Sequence, residues 1–505
     1  MLIKLTEFGG RVPKAADPSL LPDGKSQISK NCRFDKGGFV PLLEDSFIES
    51  RTSVNTIQSL LRYHDGRFFA WNSDVDAVVA PIANDIYKRI YFTVGGQLRV
   101  TDKDIYKTGG TSYPMVSYIA SPPAPTSAPV AAARPMELYL AVSDQSCFEA
   151  DGTYDLIFTG GTGSGAAGTY VIVDNTIASV NLASRGVYSV VPIVSTQSGD
   201  GSIIATLGAD PTLMESRGYV YTFVNGYGAE GPPSAVSNLI SAYDGDSVAI
   251  SGMQTSIDTA YNITKKRLYR LNQGSTSAIY QFVKELDLIT ASYDDSIENS
   301  DLGEELPSAE WDGPPVGIKG IIALPDGSLA GFVDNILCRS VPYYPHAWPA
   351  SYQKYVDSQI KALGSFGTTI AVLTAGKPYL AVGNDPANVV MESMDLGHSC
   401  TSKRGRVQAG DVVVYPSPEG LVAIGQGIGD VLTKDIMTRE EWNDNYNPSS
   451  INAYYWDGKY VGFYTKGSWK AGFMFDLKSK ELSDLTFYSS AGFTEKGTGI
   501  LYLVV

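Results

Sequence analysis

Residues 453–464 read AYYWDGKYVGFY. Two aromatic-rich runs flank Asp457-Gly458, and this pair tolerates the positive φ angles that a tight type I′ hairpin turn demands. Related units recur as LLRYHDGRFFAW (60–71), IIALPDGSLAGF (321–332) and VVVYPSPEGLVAI (412–424). A chain that repeats this form pairs each strand with its neighbour in sequence. The totals agree: 51 Gly and 31 Tyr with only 18% charged residues predict an all-β protein.

At 505 residues the chain has room for two to four domains of ~150 residues each. Residues 1–45 read as an N-terminal arm and first strand, and 46–120 as a meander of short strands. SPPAPTSAPVAAARP (121–135) carries five prolines and predicts an extended linker without regular structure. Residues 136–208 form a small Gly/Thr-rich β-module. Residues 209–310 read as a fibronectin III-like β-sandwich, with NGYGAEGPPSAVS (225–237) resembling a loop of that fold. The hairpin form returns over 311–505. The helical candidate is TKDIMTREEWNDN (433–445), where Thr438 and Glu441 fit a capping box. Hairpins that bracket two other modules predict one β-propeller interrupted by inserted β-sandwich modules. Gly38–Leu43 and Ile500–Val505 are the candidate closing strands.

The formal charge of −15 argues against a protein that grips nucleic acid through its phosphates. Cys32, Cys147, Cys338 and Cys400 have no CxxC spacing, which predicts reduced thiols and no zinc site. The N-terminus lacks the apolar core of a secretion signal, and no apolar run reaches the ~20 residues of a spanning helix. The expectation is a protein that is soluble when made. GSGAAG (163–168) matches GxGxxG, but TYVIVDN after it is a strand, so a Gly-rich hairpin turn is expected and no nucleotide site. His64 flanks a turn. His398 and Cys400 would share one face of a strand, a weak nucleophile pair. YDDSIENSDLGEE (293–305) fails the calcium-loop pattern and predicts a solvated loop. Propeller glycosidases use paired carboxylates near the axis, whereas Asp326, Glu419 and Asp457 fall in hairpin turns at blade rims, so nothing selects a carbohydrate-active site. Trp442, Trp456 and Trp469 are expected in blade cores, with stacking on sugars or protein contacts as the alternative. Lys265-Lys266-Arg267 opens a strand, and Lys403-Arg404-Gly405-Arg406 is the densest basic patch. Nothing here selects an enzyme, a cofactor or a metal.

Several phrases together resemble the propeller-containing tail hub or nozzle proteins of short-tailed bacteriophages. They are RVPKAADPSLLPDGKSQISKNCRFDKGGFVPL, WNSDVDAVVAPIANDIYKRIYFT, TAGKPYLAVGNDP, VVVYPSPEGLVAIG and NPSSINAYYWDGKYVGFY. The resemblance covers roughly 1–120 and 318–505. It implies a non-enzymatic virion protein, assembled in the bacterial cytoplasm and resident in the tail. Such proteins form a ring, typically a hexamer, below the portal and adaptor rings. DNA leaves through the lumen, and an acidic wall lets it slide. Tail fibre or tailspike proteins and the host envelope are the other implied partners. On this reading Arg404 and Arg406 are candidate subunit contacts, and the 1–36 arm reaches a neighbouring protein. The alternative is a receptor-binding or baseplate-type phage protein that recognises host surface glycans. A propeller enzyme acting on glycans is a third reading.

Overall fold

A computed structural model of the chain describes residues 8–13, 21–35, 37–42, 45–50, 56–109, 113–208, 213–273 and 278–505. It divides into two compact units. One comprises Met1–Pro122, Ala260–Asn262 and Glu310–Val505, and the other Pro123–Thr259 and Ile263–Ala309.

The first unit is built from antiparallel sheets, five of them four-stranded meanders among the described residues. Sheet A pairs Ser59–Arg62 with Phe68–Trp71. Sheet B runs Ala77–Val79, Ile90–Val94, Gln97–Thr101, Tyr118–Ile119. Sheet C runs Lys319–Ala323, Leu329–Val333, Ile336–Arg339, Lys354–Tyr355. Sheet D runs Ile360–Phe366, Thr369–Thr374, Tyr379–Val382, Val390–Ser393. Sheet E runs Val407–Ala409, Val412–Ser417, Gly420–Gly425, Ile428–Val431. Sheet F runs Asn452–Trp456, Lys459–Lys466, Trp469–Asp476, Leu482–Leu485, and sheet G pairs Ala491–Thr494 with Leu501–Val504.

First strands touch first strands from B to C and C to D, and again from E to F, F to G and G to A. The first strand of D meets the first two strands of E. Sheets A and B share the buried cluster of Leu61, Tyr63, Phe69, Ile90 and Phe92. The contacts therefore close a cycle with the first strands innermost, consistent with a β-propeller. Apolar side chains fill the gaps between neighbouring sheets, as between E and F, where Val414, Leu421, Tyr460 and Phe473 meet.

Turn chemistry explains the hairpins, with one refinement. At Asp457-Gly458 both central residues have positive φ (47° and 75°) and Trp456 pairs with Lys459, the two-residue type I′ form. At Asp65-Gly66 and Asp326-Gly327 only the glycine is left-handed (90° and 81°). There the loops close one residue wider, through Tyr63 N to Arg67 O and Leu324 N to Ser328 O. Pro325 has its φ locked near −65°, which suits the first position of this wider loop.

The helix spans Arg439–Tyr446, with both halves of the Thr438/Glu441 capping box formed. It delivers Trp442 and Tyr446 to the core between E and F, where the Trp442 indole donates to Ser417 O at 2.8 Å. The arm does not close the ring in the expected way. Gly38–Pro41 pairs with Cys32–Asp35, and Leu501–Val504 with Ala491–Thr494. Instead, Arg11 N donates to Leu482 O, Asn31 N to Asp484 O and Asp484 N to Ser29 O, which extends the outer edge of sheet F. Residues 14–20, within the expected arm, lie outside the described residues.

The second unit is also antiparallel. Its longest pairing joins Thr162–Val173 to Thr176–Val190. GSGAAG therefore lies within a strand and is not the turn. The reversal falls at Asp174-Asn175 (φ 54° and 57°), while Gly163 and Gly165 take positive φ in a ladder whose register shifts between Thr162 and Gly163. Tyr219–Asn225, Ile263–Gln273 and Ala278–Asp287 form a second sheet, which contains the basic triplet as expected. Val130–Ala133 pairs with Val248–Ser251, so the end of the proline-rich stretch is a strand. Four residues free of proline retain their N–H donors there. The acidic stretch is not fully solvated either. Asp295 is buried, paired with Arg270 at 2.9 Å and accepting from the Tyr219 hydroxyl at 2.9 Å.

Candidate functional site

Residues Thr401–Arg406 lead into the first strand of sheet E, and their polar groups reach four other sheets directly, A, B, F and G, and sheet C through Asp76. Lys403 Nζ lies 2.7 and 2.8 Å from the Asp76 carboxylate and 3.0 Å from Asp74, both at the entrance to sheet B. Asp76 also accepts from Gly320 N of sheet C at 2.7 Å. The Arg404 guanidinium donates to Gln58 O before sheet A and to Ser490 O before sheet G, each at 2.6 Å. Ser402 Oγ donates to Ile451 O before sheet F at 2.6 Å. Ala453 N donates to Arg404 O, and the Tyr460 hydroxyl to Gly405 O. Apart from Tyr460, on the second strand of F, these partners stand at or near the starts of first strands, so the segment ties several sheets together at one end.

Gly405 permits the close approach, because a Cβ there would stand 2.6 Å from the Pro416 ring. Arg406 is half-buried and has no hydrogen bond or ion pair from its guanidinium among the described residues. Burial pulls its pKa down and the Asp76 carboxylate pulls it back up. It stays a cation, as guanidinium groups in proteins do. The arrangement is a charge-assisted clasp.

The other candidates disperse. Cys400 and His398 are not in a strand; the Cys400 thiol faces Ser402 O at 3.5 Å, while His398 O accepts from Tyr415. Their pairing on one strand face is thus overturned, because the chain after Ser393 leaves sheet D without forming another strand. Burial pushes the Cys400 thiol up to about 12 and Cys338 to about 11, which keeps both protonated and unreactive at neutral pH. All four cysteines are free and buried. His64 packs at a tilt of 47° against Tyr63 beside its turn, with ring centroids 4.2 Å apart.

Asp326 pairs with Arg339, Glu419 with Arg439 at 3.3 Å, and Asp457 lies 3.5 Å from Lys459. They belong to hairpins of three different sheets. Among the described residues no cluster of three or more His, Cys, Asp or Glu is placed to hold a metal ion, and no helix is long and apolar enough to cross a membrane. The tryptophans separate clearly. Trp442 is fully buried, Trp456 packs on sheet F under Arg33, and Trp469 is 66% exposed.

The basic run was visible in sequence; its partners were not. Asp74 and Asp76 lie more than 300 residues from Lys403, and a DVD triplet carries no local mark of its role.

No protein-family model matches this sequence, and no curated protein matches it. Solved structures give distant likenesses. AztD of Citrobacter koseri aligns at 12% identity over 66% of this chain and 94% of that one, with a TM-score of 0.23. Acylaminoacyl peptidase aligns at 9% identity over 71% and 48%, with a TM-score of 0.24. A Myceliophteria thermophila β-propeller domain aligns at 9% identity over 65% and 97%, with a TM-score of 0.22.

Proposed function

We propose that this protein is a non-enzymatic structural component of a bacteriophage tail, a nozzle or hub subunit whose ring lies below the portal and adaptor rings. On this reading the first unit is a split β-propeller and the second carries the inserted sandwich modules. The observation that carries the proposal is the ordered set of phrases resembling tail nozzle proteins, which fall at residues of the arm and of sheets A, B, D, E and F. The dispersal of the catalytic candidates agrees with a scaffold. So does the use of the densest basic patch as an internal clasp. Sheets tied together at one end and joined by short turns make a rigid platform, and loops on such a platform carry contacts to partners. The net charge of −15 suits a wall past which DNA slides without being held.

The test is assembly. Native mass spectrometry of the purified full chain and electron microscopy of intact particles are expected to give a closed ring, most simply a hexamer. A chain that stays monomeric, with no matching ring in the particle, overturns the reading.

A further inference from the structure

An open cleft of about 410 Å³ lies at the outer edge of sheet F, lined by Arg11, Lys30, Asp444, Tyr464, Lys466 and Trp469, among others. This is within the ~300–1,000 Å³ typical of small-ligand sites. Its walls come from three elements: the N-terminal arm, the end of the helix and the last strands of the sheet. Trp469 is the feature that needs a reason. Its indole lies beside Tyr464 in the cleft lining, and two-thirds of the residue is open to water. Trp442, by contrast, is entirely buried in the neighbouring core. A large flat apolar face exposed in the lining of a polar cleft suits stacking on a flat ligand.

Charge narrows the class of ligand. Arg11 is committed to Asp484 at 2.6 Å and to the Tyr446 hydroxyl at 3.3 Å. Lys466 reaches only the carbonyl of Asp444, and Lys30 has no carboxylate partner among the described residues. Beyond the Arg11–Asp484 pair, two ammonium groups and one carboxylate, that of Asp444, line the cleft, an excess of positive charge in a chain whose net charge is −15. Asp444 and Asn445 add the acceptors and amide that hydroxyl groups need.

We propose that this cleft binds an acidic oligosaccharide. One pyranose ring stacks its C–H face on Trp469, and the sugar carboxylate takes the ammonium groups of Lys30 and Lys466. A neutral apolar ligand would leave those cations unmatched, and a highly charged polymer would meet the acidic remainder of the surface. The inference goes beyond the nozzle reading and stands or falls by a different measurement.

Isothermal titration of the full chain with short oligogalacturonates, oligoalginates and hyaluronan fragments provides the test, with neutral maltooligosaccharides as controls. At least one acidic probe is expected to bind, more tightly than the neutral ones and more weakly as salt is raised. Trp469→Ala should weaken that binding by about tenfold or more, a change well resolved on the affinity scale. Lys30→Gln with Lys466→Gln should remove the preference for acidic over neutral probes. All three side chains are on the surface, and an unchanged melting temperature confirms that the variants fold. The proposal is overturned if no acidic probe binds, or if Trp469→Ala binds as well as the parent. It is equally overturned if Trp469→Ala breaks ring assembly while no sugar binds, which would make the cleft a contact between copies.

Discussion

Single residues carry unequal weight in this protein, and burial with partner geometry decides which matter. Arg404 satisfies two carbonyls at the entrances of sheets A and G, so its first role is inside its own chain. Arg404→Ala leaves both acceptors without their donor. It should cost about 1–3 kcal/mol, read as a lowered urea midpoint of the full chain. Arg406 has no such commitment, so Arg406→Glu tests a subunit contact more cleanly than any change at Arg404. Lys266 is fully buried, and its ammonium donates to Gln254 O at 2.9 Å and to Thr290 O at 2.5 Å, with no ion pair to a carboxylate among the described residues. Burial pulls its pKa down to about 8. The unfolded chain, with a lysine pKa near ~10.4, then binds more protons than the folded chain between these values. Stability from this residue therefore rises as pH rises from about 8 to about 10.4, and the penalty is fully present below 8. Its size is on the order of 3 kcal/mol. Comparing urea midpoints of the parent and Lys266→Met at neutral and alkaline pH checks the sign. The parent should gain relative to the variant as pH rises.

The elements are governed by short-range chemistry, and most were readable. The capping box at Thr438 and Glu441 pointed to a helix because Ser or Thr three residues before Glu satisfies two free backbone N–H groups. AYYWDGKYVGFY pointed to a hairpin because Asp and Gly both accept positive φ. Gly458 has φ 75° and open space around a Cβ, so only backbone strain opposes a side chain there. Gly458→Ala should therefore cost about 1 kcal/mol in a thermal or urea melt, without loss of the fold. What the letters concealed was the difference between Asp-Gly turns. Pro325 before Asp326 suits the wider loop, but the loop at Asp65-Gly66 is equally wide with His64 in that place. GSGAAG misled for a related reason. Glycine licenses a turn but does not require one, and here the β-branched run after it pairs along the full length of a long hairpin.

At the scale of the whole molecule, alternating hairpins and 51 glycines were enough to indicate an all-β chain of sequence-adjacent antiparallel pairs. The order of strands within sheets B to F follows from them, because short turns leave each strand only its neighbour to pair with. The tertiary structure decided what no local signal carried. It set the arm on the edge of sheet F, gave the last two strands a sheet of their own, and brought Lys403 to Asp74 and Asp76. It also sorted three similar tryptophans into two packed side chains and one exposed platform. The physical reason is one of range. Turn and capping chemistry act within about five residues and are written beside the groups they satisfy. Charge pairing and burial between distant segments depend on which surfaces the closed set of sheets brings together.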